Sequence, residues 1–309
     1  MSDAASQTDP SPFADGAAFI DGDYVPIGEA RIPILDWGFV RSDVTYDVVA
    51  VWQGRFFRLD AHLDRFERSI GRLHMAAPYD REQITEILSE CVRLAGLREA
   101  YVEMILTRGI PPQGSRDPRQ CENRFYAFAI PYVWIAKPEQ QATGLNLVVA
   151  SVPRIPPESV DPTVKNFHWG DMVQGLFEAY ARGGESVVLT DGAGNITEGP
   201  GFNLFCVRDG EVLTPERGVL EGITRKTVIE LAESLNTKVT IGLLPEATLR
   251  AADEVFISST AGGVMPVTRL DGTAIGDGAP GPLTQRIRQL YWDAHEDPKY
   301  TFAIDYRHA

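Results

Sequence analysis

Near the start of the chain, short runs alternate apolar and polar residues; further on, apolar residues recur three or four positions apart. Ala17–Val25 reads as two strands about Asp21-Gly22, a pair suited to a tight turn. Val44–Trp52 and Arg55–Leu59, separated by Gln53-Gly54, read as a second hairpin. Beyond Asp60, which can cap a helix, Leu63, Phe66, Ile70 and Leu73 follow at helical spacing, and a second helix is predicted over Arg81–Ala95. Strands are predicted over Tyr101–Thr107 and Arg124–Ile135. They flank a loop rich in Pro, Gly and Arg, Gly109–Arg119, of the long unstructured kind that is often functional.

Ala136–Gly144 is polar, short and set between two strong strands, which predicts a linker. After it, strands are predicted over Leu145–Ser151, Ser186–Thr190, Phe202–Val207, Glu211–Leu213, Lys238–Leu243 and Glu254–Ser258. Helices are predicted near Gly170–Arg182, Thr224–Leu235, Pro245–Ala251 and Pro282–Glu296. The simplest organisation is α/β throughout. It has a disordered acidic tail over 1–15, a small N-terminal α/β domain over 16–135, a linker over 136–144 and a larger C-terminal α/β domain over 145–309.

Composition changes this picture little. The chain is 44% hydrophobic and 23% charged, close to ordinary globular usage. A net charge of −14 argues against nucleic acid or an anionic membrane surface as partner. No apolar run reaches the roughly 18 residues that a membrane span needs. Cys91, Cys121 and Cys206 share no metal-like spacing and cannot all pair, which points to a reducing compartment and a cytoplasmic location. The five histidines offer no paired metal spacing, so no metal site is expected.

Candidate chemistry gathers in a few short segments. Of only five lysines, Lys165 stands apart, in Pro162-Thr-Val-Lys165-Asn-Phe167-His-Trp169-Gly-Asp171. An amine held among aromatic rings is poorly hydrated, and a neutral amine is what Schiff-base chemistry requires. A lysine placed by chance on a loop is the alternative. His168 beside it reads either as a general base or as a packed, hydrogen-bonded histidine. Glu198 sits in Thr197-Glu198-Gly-Pro-Gly-Phe-Asn203, where the glycines permit close backbone approach. A carboxylate there is either an exposed turn residue or one in need of a cationic partner, such as a protonated pyridine nitrogen. Gly222-Ile223-Thr224 opens an amphipathic helix whose free amides and hydroxyl suit a phosphate. Ser258-Ser259-Thr260-Ala261 ends a strand with hydroxyls and small residues, and Arg65 supplies a cation near the apolar stripe of its helix.

Taken in order, these segments resemble the fold-type IV pyridoxal-phosphate enzymes, the group that includes branched-chain aminotransferases, D-amino-acid transaminases, (R)-selective amine transaminases and aminodeoxychorismate lyases. The likeness runs from about Phe19 to Tyr306 and is greatest to the (R)-amine:pyruvate transaminases. It rests on Asp36-Trp-Gly-Phe-Val-Arg41-Ser-Asp-Val-Thr-Tyr46-Asp-Val48, Arg55-Phe-Phe-Arg-Leu-Asp-Ala-His-Leu-Asp-Arg65 and Gly218-Val-Leu-Glu-Gly-Ile-Thr224-Arg-Lys226. Ser259-Thr260-Ala-Gly-Gly-Val-Met-Pro266 and the segments around Lys165 and Glu198 complete it.

The resemblance implies pyridoxal 5′-phosphate as cofactor, joined to Lys165 as a Schiff base, with Glu198 at its pyridine nitrogen. It implies that Arg65, Ile223, Thr224 and Ser259 or Thr260 hold the phosphate. Tyr46, Val48, Tyr101, Glu103, Trp169 and Ala261 fall where such enzymes line the substrate pocket. Many members of the amine branch carry histidine where this chain has Arg41; Arg41, Arg116 or Arg119 is therefore expected to take the carboxylate of a keto acid. The implied activity transfers an amino group from a chiral (R)-amine to a keto acid such as pyruvate, with D-amino-acid or branched-chain transamination and the lyase reaction as alternatives. A homodimer is implied as the assembly.

Overall fold

Two β-sheets, each backed by helices, build the protein; the computed structural model describes residues 11–307. The first sheet grows from the two hairpins. Ala17–Ile20 pairs with Asp23–Pro26 across Asp21 and Gly22, both at positive φ, and Val44–Trp52 turns through Gln53 and Gly54, again at positive φ, into Arg55–Phe57. The long strands Ala100–Ile110 and Glu122–Pro131 join the two hairpins as antiparallel neighbours. The helices Leu59–Arg72 and Arg81–Ala95 cover one face, burying Leu63, Phe66, Ile70, Leu88 and Val92 against Val49, Val51 and Met104. Residues 1–10 of the expected tail, together with His308, lie outside the described residues. Residues 12–15 form a turn, with Phe13 packed on this core.

Strand Val44–Trp52 is buried along nearly its whole length because it has two occupied faces. Val49 and Val51 point at the helices, whereas Tyr46 and Val48 point at the second half of the molecule.

The second sheet is larger, eleven strands in all, and mixes parallel with antiparallel pairing. At its centre Glu254–Ser259 runs antiparallel to both of its neighbours, Phe202–Arg208 and Gly263–Leu270, and Gly263–Leu270 then pairs parallel with Leu145–Pro153. Gly170–Ala181 packs on Leu145–Pro153 and Ser186–Thr190, while Ile223–Ser234 and Pro282–Asp293 pack on the central strands.

Several expectations are corrected. Asp60 does not cap its helix: Arg58, at φ 55°, holds that position, and Asp60 lies in the first turn. Residues 136–144 are not an open linker. Pro138–Thr143 is helical, Ala136 is fully buried, and the Gln141 amide donates to the Ala136 and Gly262 carbonyls. Gly263–Leu270 begins with a glycine, contains Pro266 and went unpredicted, yet it is a central strand. It tolerates Pro266 because its parallel pairing begins only at Val267. Finally, Thr301–Ala303 pairs with Arg55–Phe57, so the end of the chain returns to the first sheet and does not stay with residues 145–300.

Candidate active site

Lys165 is held by the side of strand Val44–Trp52 that its short hairpin partner leaves open. Thr45 Oγ1 donates to the Lys165 carbonyl at 2.8 Å, the Tyr46 N–H donates to the same oxygen at 3.2 Å, and Thr45 bridges to Asn166. This anchoring brings Lys165 Nζ to 4.2 Å from the centre of the Tyr46 ring, which packs in turn on Phe167 at 4.6 Å between centroids. An aromatic setting was expected from Phe167 and Trp169. The ring that meets the amine belongs to Tyr46, which is far away in sequence, and Phe167 backs that ring.

Glu198 is buried, not an exposed turn residue. It occupies a two-residue strand paired with Asn203 and Phe202, beside the glycines that let the chain approach so closely. Its Oε1 accepts from Arg154 Nε at 3.2 Å, and its Oε2 accepts from the Leu220 N–H at 2.7 Å. Burial pushes its carboxyl above the usual range, against the opposing pull of Arg154, the Leu220 amide and Lys165. Arg154 is itself fixed by Asp171, whose Oδ2 accepts from Arg154 Nη1 at 2.8 Å and from the Ile155 N–H at 2.7 Å. Nothing marked Arg154 beforehand except its place just beyond a predicted apolar strand.

Ile223 and Thr224 open helix Ile223–Ser234, whose start has no side-chain cap. Arg65 lies opposite, its Nε and Nη2 donating to Asp47 at 2.7 and 2.8 Å and its Nη1 to the Glu221 carbonyl at 3.2 Å. Ser259 Oγ donates to the Gly201 carbonyl at 2.7 Å and accepts from the Ala261 N–H at 3.2 Å. Ser258 Oγ, buried next to it, has no hydrogen-bond partner among the described residues.

One cavity of about 530 Å³ between the two sheets collects most of these groups. Lys165, Glu198, Arg65, Ile223, Thr224, Ser259 and Thr260 all line it. So do Tyr46, Val48, Tyr101, Glu103, Trp169 and Ala261, which form its other wall with Phe128 and Ile130. Tyr101 donates its hydroxyl proton to Glu103 Oε2 at 3.1 Å, and burial raises the Glu103 carboxyl to about 7 despite the charge of Lys165. Arg41 and Arg116 are not brought in. Arg41 stacks on Trp37 at 4.0 Å and lines a second cavity, of about 440 Å³, that shares Val164 and Asn166 with the first. Arg116 is exposed on its loop, and Arg119 pairs with Asp117 at 2.6 Å. His168 lines the second cavity, away from the group that contains Lys165.

Residues 45–270 match the amino-transferase class IV family. This chain is a class IV aminotransferase. It is 30% identical over 283 residues to the branched-chain-amino-acid aminotransferase of Escherichia coli K12, an alignment covering 89% of this chain and 91% of that relative. It is also 30% identical over 264 residues to the D-alanine aminotransferase of Bacillus licheniformis, covering 84% and 90%. Among solved structures, the branched-chain aminotransferase of the thermophilic archaeon Thermoproteus uzoniensis with norvaline superposes with a TM-score of 0.86 at 28% identity, covering 94% of this chain and 99% of that one. A second branched-chain amino acid aminotransferase, solved with pyridoxamine 5′-phosphate, gives 0.87 at 28%, with the same coverage. The fold of the aminotransferase is therefore fold type IV.

Class IV aminotransferases use pyridoxal 5′-phosphate. The donor set here fits that cofactor at both ends. An uncapped helix start faces a guanidinium at one end, which suits a phosphate. A buried carboxyl with its pKa raised lies at the other, where a protonated ring nitrogen would relieve the cost of burying charge. The Ser258 hydroxyl, unpartnered among the described residues, also lines the cavity as a further donor.

Proposed function

We propose that this aminotransferase moves an amino group from an (R)-amine with an apolar substituent to a keto acid such as pyruvate. One observation carries the reading: neither arginine that lines the cavity is free for a substrate carboxylate, because Arg154 is taken by Glu198 and Asp171 and Arg65 is held by Asp47 beside the Glu221 carbonyl, on the phosphate side. The substrate wall is otherwise apolar apart from Tyr46, Tyr101 and Glu103, and the Glu103 carboxyl disfavours a second carboxylate beside it. The (R) configuration rests on the likeness of the sequence segments quoted above.

Bound here, the cofactor supplies an aldehyde carbon to receive the amino group and a ring that accepts electron density. The protein's residues divide the remaining work. Lys165 Nζ would take the proton from the amine-bearing carbon and return it to the former aldehyde carbon. Glu198 holds the charged ring nitrogen, and Arg154 and Asp171 hold Glu198. Arg65, the Ile223 and Thr224 amides, and Ser259 or Thr260 bind the phosphate. Tyr46 excludes water from the lysine. The keto acid's carboxylate is met by an arginine from outside the cavity, Arg41, Arg116 or Arg119, which moves or is presented when the acid binds.

We infer a cytoplasmic homodimer as the working form. Ile34, Leu35 and Phe39, before and on helix Trp37–Arg41, and Phe177 on helix Gly170–Ala181 are large, exposed and apolar, which suits a surface covered by a second copy. Sedimentation at the mass of a single chain would remove that part of the reading.

Two experiments test the function. Borohydride reduction and peptide mapping should place a pyridoxyl label on Lys165, and Lys165→Ala should abolish both the label and most turnover. With a common keto acid other than pyruvate as acceptor, such as 2-oxobutyrate, (R)-1-phenylethylamine should outperform its (S) form, D-alanine and L-leucine. Faster turnover of D-alanine or L-leucine would instead favour an amino-acid transaminase, the reading that the names of the relatives support. Pyruvate release from an amino-chorismate with no acceptor would favour the lyase.

A further inference from the structure

Asp47 is fully buried in strand Val44–Trp52, on the face opposite Tyr46 and Val48, and does not line the cavity. A carboxylate in that position is expensive unless it is fully engaged. Its two oxygens accept four contacts: Oδ2 from Arg65 Nε at 2.7 Å, and Oδ1 from Arg65 Nη2 at 2.8 Å, His62 Nδ1 at 2.8 Å and its neighbour's Val48 N–H at 2.8 Å. Arg65 and His62 stand three residues apart on helix Leu59–Arg72, so one carboxylate clamps two side chains on the same helical face. His62 is buried, which pulls its imidazole pKa down despite the neighbouring carboxylate; as a neutral ring it donates through Nδ1 without competing with Arg65 for charge.

An arginine side chain loses about 2 kcal/mol of rotamer entropy when fixed. Here that cost is met inside the protein before any ligand arrives. The Asp47 fork takes the inner edge of the guanidinium, and the Glu221 carbonyl, next to the Gly222 that opens the phosphate-side helix, takes Nη1 at 3.2 Å. The arginine on the helix of one sheet is thereby set in register with the helix start on the other.

We propose that Asp47, braced by His62, is the positioning residue that presets Arg65 for the cofactor's phosphate. The inference rests on the reading that Arg65 binds that phosphate. Charge alone predicts the opposite sign: removing a buried anion beside Arg65 leaves the guanidinium more positive and should strengthen its hold on a dianion. Preorganisation predicts weakening, so the direction of the change decides.

The test compares the binding of pyridoxal 5′-phosphate and of pyridoxal, which lacks the phosphate, to the cofactor-depleted full chain, read from the absorbance of the bound chromophore. For Asp47→Asn, affinity for pyridoxal 5′-phosphate should fall by about tenfold or more, while that for pyridoxal changes by less than about twofold. Arg65→Ala should show the same selective loss. A second pair keeps the test open should Asp47→Asn fail to fold. His62→Leu should lose roughly threefold for the phosphorylated ligand only, and His62→Asn, whose amide can donate in place of Nδ1, should restore it. Equal losses for both ligands would show a merely structural role and overturn the proposal, as would tighter phosphate binding in Asp47→Asn. A selective loss in Arg65→Ala with none in the Asp47 or His62 variants would overturn positioning but leave the phosphate reading intact. No selective loss in Arg65→Ala would remove that reading itself.

Discussion

Arg154 and Glu198 meet inside the protein, Nε to Oε1 at 3.2 Å, both almost wholly shielded from water. The cation that a buried glutamate demands is thus partly built in. Glu198 can hold a charged ring nitrogen only while it is itself ionised, and burial already raises its pKa. Replacing Arg154 by Gln removes the interaction that most opposes burial, so the carboxyl should take up its proton at higher pH.

The expected outcome is an acid limb of kcat/KM displaced upward by about 1–2 pH units in Arg154→Gln. The alkaline limb should stay where it is. Rates measured across the range on cofactor-saturated protein provide the check, and an unmoved acid limb would separate Glu198 ionisation from catalysis. Glu198→Gln should lower kcat by roughly a hundredfold or more with cofactor still bound.

Glu103 offers a prediction about stability. Its carboxyl is buried, donated to by Tyr101 and raised from 4.5 to about 7. A carboxyl raised on folding contributes stability that is fully present below its unfolded pKa and lost as pH rises through its folded pKa. The window therefore runs from about 4.5 to about 7. Glu103→Gln keeps an acceptor for Tyr101 and removes the titration. The variant should match the parent in acid and exceed it above neutrality by up to the order of 3 kcal/mol. Denaturant unfolding of the cofactor-depleted protein on both sides of the window measures the gap, and an equal gap at both would contradict the assignment.

What could be read from the chain, and what could not, divides by distance along it. The turns at Asp21-Gly22 and Gln53-Gly54 depend on two adjacent residues and were legible. So was the helix start at Gly222-Ile223-Thr224, because an N-terminus declares itself within one turn. Lys165 and Glu198 stood out through their immediate neighbours. Arg154 and Asp47 did not, since each acquires its meaning from partners brought in by folding: Arg154 from Asp171 and Glu198, Asp47 from His62 and Arg65. Gly263–Leu270 was missed for a related reason. Its glycine and proline break local strand preference, and two flanking strands impose the conformation.

Gly222 gives a last prediction, one that turns on space and not on backbone angle. Its φ is −61°, open to any residue. A Cβ there would lie 2.1 Å from Asn203 Oδ1 and 3.3 Å from the Arg225 Cβ. Asn203 cannot easily yield: its Nδ2 donates to the Leu220 carbonyl at 2.8 Å, and it is the cross-strand partner of Glu198. Gly222→Ala should therefore push the helix start away from strand Phe202–Arg208, which carries Asn203 and pairs with Glu198. We expect a loss of about 1–3 kcal/mol in stability, typical of overpacking, and a cofactor affinity lower by roughly tenfold, or about 1.4 kcal/mol. Gly71→Ala is the control, because a Cβ there meets nothing within 4 Å and the position is helical. It should be neutral or stabilising by up to about 1 kcal/mol. Equilibrium unfolding and cofactor titration of both variants distinguish the steric effect from a general cost of replacing glycine, and equal behaviour of the two would remove the clash as its cause.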